Sequence, residues 1–165
     1  MEIVKLPQKI LRKKARDVTG VDSTVITLIA KMKKTLKKCG GVGLAAPQIG
    51  SDLNIAVIGF TPSEEELKKN PNLESIPKIT MINPKITWAA KDFGTRREGC
   101  LSAEKEVDVP RFKKIHIKYL DESGKKKKIK ARGYLARVIQ HEIDHLKGKL
   151  ITDYQENKKF AQNKK

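Results

Sequence analysis

The clearest hydrophobic pattern in the chain lies between residues 23 and 38. Apolar side chains recur there at the spacing of one helix face, at Val25, Ile26, Ile29, Met32 and Leu36. Asp22 or Ser23 can cap the first turn, and the pair Gly40 and Gly41 can end the helix. The sequence therefore predicts an amphipathic N-terminal helix whose lysines face solvent.

Period-two patterns and short apolar runs predict several β-strands. They cover residues 53–60, 78–82, 85–88, 115–120 and 126–130, with a shorter strand at 150–152. The turn signal Asp121 to Gly124 joins two of them in a hairpin. His116 alternates with apolar neighbours, so it is predicted to face solvent rather than to bind a metal. The polar stretch 61–77 is predicted to be a surface excursion with a short helical turn.

A second helix is predicted from Gly133 to about Lys147, ended by Gly148. The run Gly40 to Gly50 contains too much glycine for a helix, and glycine lets a backbone approach a ligand closely. A tight strand crossing the core is the alternative. These elements predict one α+β domain over residues 1–153, with mostly antiparallel strands packed around the second helix. A basic, mobile tail is predicted over residues 154–165.

Composition adds a strong positive charge to this picture. The 165 residues carry a formal net charge of +17, which favours polyanionic partners and leaves a weak, salt-sensitive contact with ribosomal RNA open. A solvated, lysine-rich surface is the alternative. Aromatic residues make up only 5% of the chain, which argues against a dedicated binder of single-stranded nucleic acid. DNA is not an expected partner.

Targeting signals and cysteine usage predict a cytoplasmic location of bacterial type. No apolar run approaches the roughly 20 residues of a membrane span, so no membrane contact is expected. The first residues lack the features of a signal or transit peptide. An organellar location would follow if a transit segment had been removed. Cys39 and Cys100 are expected to be a metal ligand or a buried thiol rather than a disulfide.

The strongest chemical signal is the H-E-x-x-H pattern of residues 141–145. Residues four apart share one face of a helix, so His141 and His145 can bind one metal ion. Glu142 lies beside the first ligand and can act on a water molecule in the site. A hydrolytic metal site uses three protein ligands, and Cys100 could supply the third as a thiolate. An inert buried thiol is the alternative for Cys100.

Three stretches in this order resemble the signature motifs of the peptide deformylase family: GVGLAAPQIG, EGCLS and QHEIDHLKG. The segments 10–15, 82–84 and 109–111 also match the family pattern. The resemblance implies an enzyme that removes the formyl group from the N-terminal N-formylmethionine of nascent polypeptides and releases formate. It also implies one divalent metal ion, typically Fe(II), with Zn, Ni or Co able to occupy the site.

The resemblance also implies the roles of individual residues. The metal is held by Cys100, His141 and His145. Glu142 takes a proton from the attacking water and passes it to the departing amine. The developing oxyanion accepts hydrogen bonds from the side-chain amide of Gln48 and the backbone N–H of Leu101.

Substrate contacts follow from the same resemblance. The peptide backbone is expected to bind as an added strand along Val42, Gly43 and Gly99. The methionine side chain is expected in an apolar pocket with Arg111 at its rim, near Val42, Tyr134, Val138 and His141. Gln140 and Asp144 are candidates for supporting the ligating histidines.

One departure from the family pattern leaves other functions open. Residues 103–105 read Ala-Glu-Lys where the family usually has a hydrophobic residue and a proline. This difference motivates an alternative, a catalytically impaired module that binds formyl-peptides or the ribosome. A zinc endopeptidase is a third hypothesis, but it would need a ligand downstream, and no histidine follows His145.

Overall fold

The computed structural model describes residues 2–155. Its helices and strands are, in chain order, α1 (Ser23–Cys39), β1 (Gly43–Ala45), β2 (Ile55–Phe60), α2 (Glu64–Lys69), β3 (Ile76–Ala89), β4 (Phe93–Glu98), β5 (Val107–Phe112), β6 (Lys114–Leu120), β7 (Lys126–Arg132) and α3 (Gly133–Leu146). A helical turn over residues 152–155 follows them. The remainder of the predicted tail, residues 156–165, lies outside the described part of the chain.

A five-stranded sheet with the strand order β1-β2-β3-β6-β7 forms the centre of the molecule. Every neighbouring pair in it is antiparallel. Strands β4 and β5 form a separate antiparallel pair. The prediction of an α+β fold with mostly antiparallel strands is therefore confirmed.

The two faces of the sheet bury different sets of side chains because successive residues of a strand point to opposite sides. One face packs against α3 through a cluster that includes Met81, Ile115, Ile117, Ile139 and Ile143. The other face packs against α1 through Ile29, Met32, Ile55, Val57 and Ile82. The sheet thus has one helix on each side. Helix α1 packs closely only on the β1–β2 end of the sheet.

The boundaries of the two long helices follow from local chemistry. The Asp22 side chain caps α1 by accepting a hydrogen bond from the Val25 N–H at 2.8 Å. Gly40 ends that helix in the left-handed region, with φ of 63°. Helix α3 follows β7 without a linker and ends before Gly148, whose φ is 73°. No helix within residues 2–155 combines the length and the apolar character needed to cross a bilayer.

Strand β3 differs from its prediction because it continues through Asn83 and Pro84 instead of breaking there. Asn83 has a φ of 53°, and the pairing with β6 shifts register next to it. The Asn83 side chain accepts a hydrogen bond from the Val18 N–H at 2.9 Å and donates one to the Val18 carbonyl at 2.8 Å. These bonds hold the irregular residue in place, so that one long strand forms.

The structure differs from the sequence analysis at two further places, one missed strand and one wrongly predicted strand. Strand β4 was not predicted, because its exposed, charged residues show no apolar alternation. The predicted strand at 150–152 is wrong, since these residues form the entry to the last helical turn. Leu150 donates its N–H to the Asp153 carboxylate at 3.0 Å, which caps that turn. The apolar pattern there reflects burial of Leu150 and Ile151 rather than sheet pairing.

Candidate metal centre and substrate cleft

Three potential metal ligands converge at one point. The ligand atoms of Cys100, His141 and His145 all lie within 4.8 Å of one another. The histidines are one turn apart on α3, and Cys100 lies in the turn after β4, with its Sγ 3.2 Å from Nε2 of His145. Both cysteines of the chain are free thiols. One thiolate and two imidazoles form a donor set that suits Zn²⁺ or Fe²⁺.

The protonation of the two histidines fits a metal site. Burial lowers the pKa of His145 well below its usual value, so this imidazole is neutral and able to ligate. Burial also acts to lower the pKa of His141, but hydrogen bonds to Cys100 and Glu98 raise it to about 10. An ion bound by these three residues would take the place of that proton. The three side chains therefore suit a divalent metal ion such as Zn²⁺ or Fe²⁺.

Glu142 lies beside the ligands as a buried acid with one oxygen available. It is 2% exposed, and its Oε2 has no hydrogen-bond partner within the described residues. Burial raises the pKa of Glu142 to about 7, which outweighs the lowering by His141 and Arg111. Gly43 of β1 lies directly against it: a Cβ atom there would be 2.2 Å from the Glu142 Oε1. Glycine is therefore the residue that allows β1 to approach the acid so closely.

Gln48 faces Cys100 from a short 3-10 helix, Ala46–Ile49. Its Oε1 accepts a hydrogen bond from the Ala45 N–H at 2.9 Å, and its Nε2 donates to Ser102 Oγ at 3.2 Å. The same Nε2 lies 3.8 Å from Cys100 Sγ. These contacts fix the orientation of the amide, so that it faces Cys100, His141 and His145, which we call the ligand cluster. Ser102 is a positioning residue that the sequence analysis did not find.

Glu98 connects the ligand cluster to two buried arginines. It contacts His141 Nδ1 at 3.0 Å, pairs with Arg111 at 3.0 and 3.1 Å, and pairs with Arg137 at 2.5 Å. Burial acts to raise the pKa of Glu98, but the hydrogen bonds and charges of His141 and Arg111 lower it to about 2. The carboxylate therefore stays ionised and orients the His141 ring, as acids near ligating histidines commonly do. Glu98 lies two residues before Cys100, and this position is the sequence signal that could have identified it.

The positions of three predicted residues need correction. Arg111 was expected at the rim of the substrate pocket, but it is 4% exposed and bonds Glu98 and Asp144 behind the site. Asp144 bonds Arg111 and the Tyr154 hydroxyl rather than a ligating histidine. Gln140 exchanges two hydrogen bonds with the Phe112 backbone, at 2.9 and 3.0 Å. It therefore fastens α3 to β5 and does not support a ligand.

A cavity of about 420 Å³ opens in front of the ligand cluster. Its lining includes most of the predicted site residues, namely Val42, Gly43, Gln48, Gly99, Cys100, Leu101, Tyr134, Val138, His141 and Glu142. Glu98, Arg97 and Arg137 also line it and were not predicted. His145 lies behind the cavity and is buried. The unusual residues 103–105 do not line it, and Glu104 and Lys105 are exposed.

Comparison with known proteins agrees with this geometry. The sequence model of the polypeptide deformylase family matches residues 1–161. The chain belongs to the peptide deformylase family. A peptide deformylase of Picosynechococcus is 40% identical over 158 residues, which cover 95% of this chain and 80% of that protein.

Solved deformylase structures share the fold over most of the chain. The Ehrlichia chaffeensis enzyme has 34% identity and a TM-score of 0.84, over 99% of this chain and 93% of that one. A class I type b deformylase of Acinetobacter baumannii, solved with Met-Ala-Ser bound, has 28% identity and a TM-score of 0.85. That match covers 93% of this chain and 97% of the other.

The family assignment confirms the predicted activity. The deformylase is a hydrolase of protein biosynthesis that removes the formyl group from N-terminal formylmethionine. Deformylases depend on a metal, and the cluster of Cys100, His141 and His145 is the candidate metal site of this one. The assignment favours deformylation over the endopeptidase hypothesis.

Proposed function

We propose that the deformylase holds one divalent metal ion through Cys100, His141 and His145 and uses Glu142 as its acid–base group. The observation that carries this proposal is the convergence of three ligand atoms beside a buried carboxylate, one oxygen of which has no partner in the described part of the chain. Fe(II) is the proposed ion, with Zn, Ni or Co as substitutes. When bound, the ion supplies Lewis acidity to the hydrolysis of the formyl amide.

Glu142 has the placement that proton transfer requires. Its Oε2 has no hydrogen-bond partner among residues 2–155, so it can accept the proton of the attacking water. A pKa near 7 lets the same group release that proton to the departing amine at neutral pH. Gly43 lies close against the side chain on one side, so β1 restricts where the carboxylate can move before substrate binds.

The oxyanion that develops on the formyl oxygen is proposed to accept hydrogen bonds from Gln48 and Leu101. The Gln48 amide is already oriented by Ala45 and Ser102, so it is held facing the cleft before substrate binds. Leu101 follows the ligand Cys100 directly, which brings its backbone N–H close to the reacting carbon. Gln48 donates as a neutral amide, so it does not compete for the metal as a carboxylate would.

The peptide is proposed to bind as an extra strand beside β1. Strand β1 is at the edge of the five-stranded sheet, so its outer backbone groups are available for pairing. Val42, Gly43 and Gly99 line the cavity and can supply these groups, while Tyr134 and Val138 offer an apolar wall for the methionine side chain. The bound Met-Ala-Ser of the Acinetobacter relative supports a site for peptides that begin with methionine.

The setting of the reaction follows from this substrate. Residues 1–153 are proposed to act as one catalytic domain on nascent chains in a bacterial-type cytoplasm, or in an organelle if a transit segment has been removed. The net charge of +17 supports a weak contact with the ribosome. The impaired-module alternative is weakened, because the unusual residues 103–105 lie away from the cavity lining.

Formate release from a formyl-methionyl tripeptide tests this proposal. The protein is loaded anaerobically with Fe(II), and the Glu142→Ala variant is assayed beside it at equal metal content. We expect fast release by the natural chain and a loss of at least about 100-fold in the variant, the scale of a lost acid–base group. Near-normal release by the variant would contradict the role of Glu142. No release by fully metallated natural protein would favour the impaired-module alternative.

A further inference from the structure

Half of one sheet face carries no helix from the described residues. Helix α1 covers the β1–β2 end of that face, whereas within residues 2–155 no helix packs on the outer side of β6 and β7. Strand alternation places nine residues on this open area, which we call the cationic face: Lys85, Trp88, Lys114, His116, Lys118, Lys126, Lys128, Lys130 and Arg132. All of them are exposed except His116, which is half-buried. Helix α3 and the metal ligands lie on the opposite side of the sheet.

Positive charges lie directly opposite each other across these strands. Lys114 pairs with Arg132, and Lys118 pairs with Lys128 on one side and with Lys85 on the other. Like charges at such positions destabilise a sheet. The carboxylates at the end of the hairpin are engaged elsewhere: Asp121 pairs with Lys127 and Glu122 with Lys33.

The charge of the cationic face is therefore not balanced by carboxylates within residues 2–155. In the described part of the chain, no carboxylate forms an ion pair with its lysines or with Arg132. Alternate residues of a strand are about 6.6 Å apart and neighbouring strands about 4.8 Å, so the cations form a regular grid. A regular grid of unbalanced cations suits a partner with regularly repeated negative charge, such as a phosphate backbone.

An exposed aromatic pair lies within this grid. Trp88 is 48% exposed and is the only tryptophan of the chain. Its ring centroid lies 4.6 Å from that of His116, with an interplanar angle of 36°. Proteins that bind single-stranded nucleic acid combine cations for the backbone with aromatic rings for the bases. A membrane surface would instead favour an amphipathic helix or several apolar anchors, and the cationic face has neither.

We propose that the cationic face binds single-stranded RNA, with phosphates on its lysines and one base stacked on the Trp88–His116 pair. The choice of RNA over DNA rests on the proposed function, since nascent chains are made on RNA-containing machinery. Bound RNA lies on the side of the sheet opposite the catalytic cleft. Turnover of a free formyl-peptide is therefore independent of RNA.

Binding of an oligouridine of about 12 nucleotides tests the proposal. We expect quenching of Trp88 fluorescence and an affinity that falls with salt, with a logarithmic slope near −3 for about four phosphate contacts. The double variant Lys128→Glu/Lys130→Glu should bind at least about tenfold more weakly at about 0.1 M salt. The matched control Lys31→Glu/Lys34→Glu changes two exposed lysines of α1 by the same charge and should stay within about twofold.

Further binding measurements distinguish RNA from other anionic partners. The Trp88→Ala variant should lose about tenfold in affinity, the scale of one stacked base. Heparin should bind without quenching Trp88, because it has no bases. Equal losses in the two double variants would overturn the proposal, as would preferred binding of single-stranded DNA or of phosphatidylglycerol vesicles. Formate release from the free peptide is measured on every variant, so a failure of the proposed function is recognised separately from a failure of RNA binding.

Discussion

Glu98 is the residue on which the site depends without being a ligand or a reacting group. One buried carboxylate contacts His141, Arg111 and Arg137 at the same time. Removing one partner of a buried ionic network is costly because the remaining charges stay in a poorly solvated place. The same contacts hold the ring of His141, a proposed metal ligand, so we expect both the stability of the fold and the affinity for metal to depend on Glu98.

Replacement of Glu98 by Gln should therefore affect both properties. We expect metal to bind about 10–100-fold more weakly, since an orienting partner of a ligating histidine is altered. We also expect the free energy of unfolding to fall by about 3 kcal/mol, because the buried Arg137 loses its carboxylate partner and the buried Arg111 loses one of its two. Metal titration and denaturant unfolding measure the two effects.

The matched control is Glu106→Gln. Glu106 pairs with Arg97 at 3.2 Å on the surface, where such pairs contribute at most about 1 kcal/mol. Equal effects of the two substitutions would contradict the central role of Glu98.

Gly43 allows a second prediction at the scale of one residue. In Gly43→Ala, the new Cβ would lie 2.2 Å from the Glu142 Oε1, so the carboxylate must move. We expect formate release to fall by about 100-fold, because small displacements of a catalytic group are costly, while metal content stays unchanged. Gly20→Ala is the control, since its Cβ would meet nothing within 4 Å. Normal turnover by Gly43→Ala would show that the position of Glu142 is not set by β1.

At the scale of elements, the end of α3 is joined to the N-terminal segment. The Ala15 N–H donates to the Leu146 carbonyl at 2.9 Å. Gly148 has a positive φ, and a Cβ there would lie 2.4 Å from the Arg12 carbonyl oxygen. The helix that carries both ligating histidines is thus held at its end by backbone contacts that leave no space for a side chain.

The substitution Gly148→Ala tests this contact against Gly50→Ala. Both glycines have a positive φ, but a Cβ at Gly50 would meet nothing within 4 Å. The free energy of unfolding of each variant should fall by about 1 kcal/mol, because alanine does not readily adopt a positive φ. Gly148→Ala should lose about 1–3 kcal/mol more, because its Cβ overlaps another backbone. Equal unfolding free energies of the two variants would show that the N-terminal segment moves aside freely.

At the scale of the whole molecule, the metal cluster links parts of the chain that are distant in sequence. Cys100 lies in the connection between the strands of the small β4–β5 sheet, whereas the histidines belong to the helix that packs on the large sheet. An ion held by all three therefore connects the two sheets of the fold. It binds the folded chain far better than the unfolded one, in which these ligands are apart.

Removal of the metal with a chelator should accordingly lower the melting temperature. At a metal concentration 100-fold above Kd, binding stabilises the fold by about 2.7 kcal/mol. For a chain of this size we expect a loss of about 5–10 °C, measured by calorimetry with and without added metal. The Cys100→Ser variant should bind metal weakly and show a much smaller difference. An unchanged melting temperature after complete removal of the metal would mean that an ion held by Cys100, His141 and His145 does not link the two sheets.

Local patterns were sufficient to predict several parts of this protein. The α1 residues, the β6–β7 hairpin and the helical spacing of His141 and His145 depend on residues close in sequence. Hydrophobic period, turn residues and caps act over a few positions, so they can be read from the chain itself. The family motifs then identified the activity, because they name the chemical groups that the reaction needs.

Only the tertiary structure decided which distant groups meet. Glu98 rather than Asp144 or Gln140 supports a ligating histidine, and Arg111 lies behind the site instead of at its rim. Residues 150–152 bury Leu150 and Ile151 without joining a sheet, although their pattern is that of a strand. Trp88 and the lysines of three strands share one open face through pairing between segments. Such contacts depend on how elements pack, and packing is a property of the whole chain that no local spacing contains.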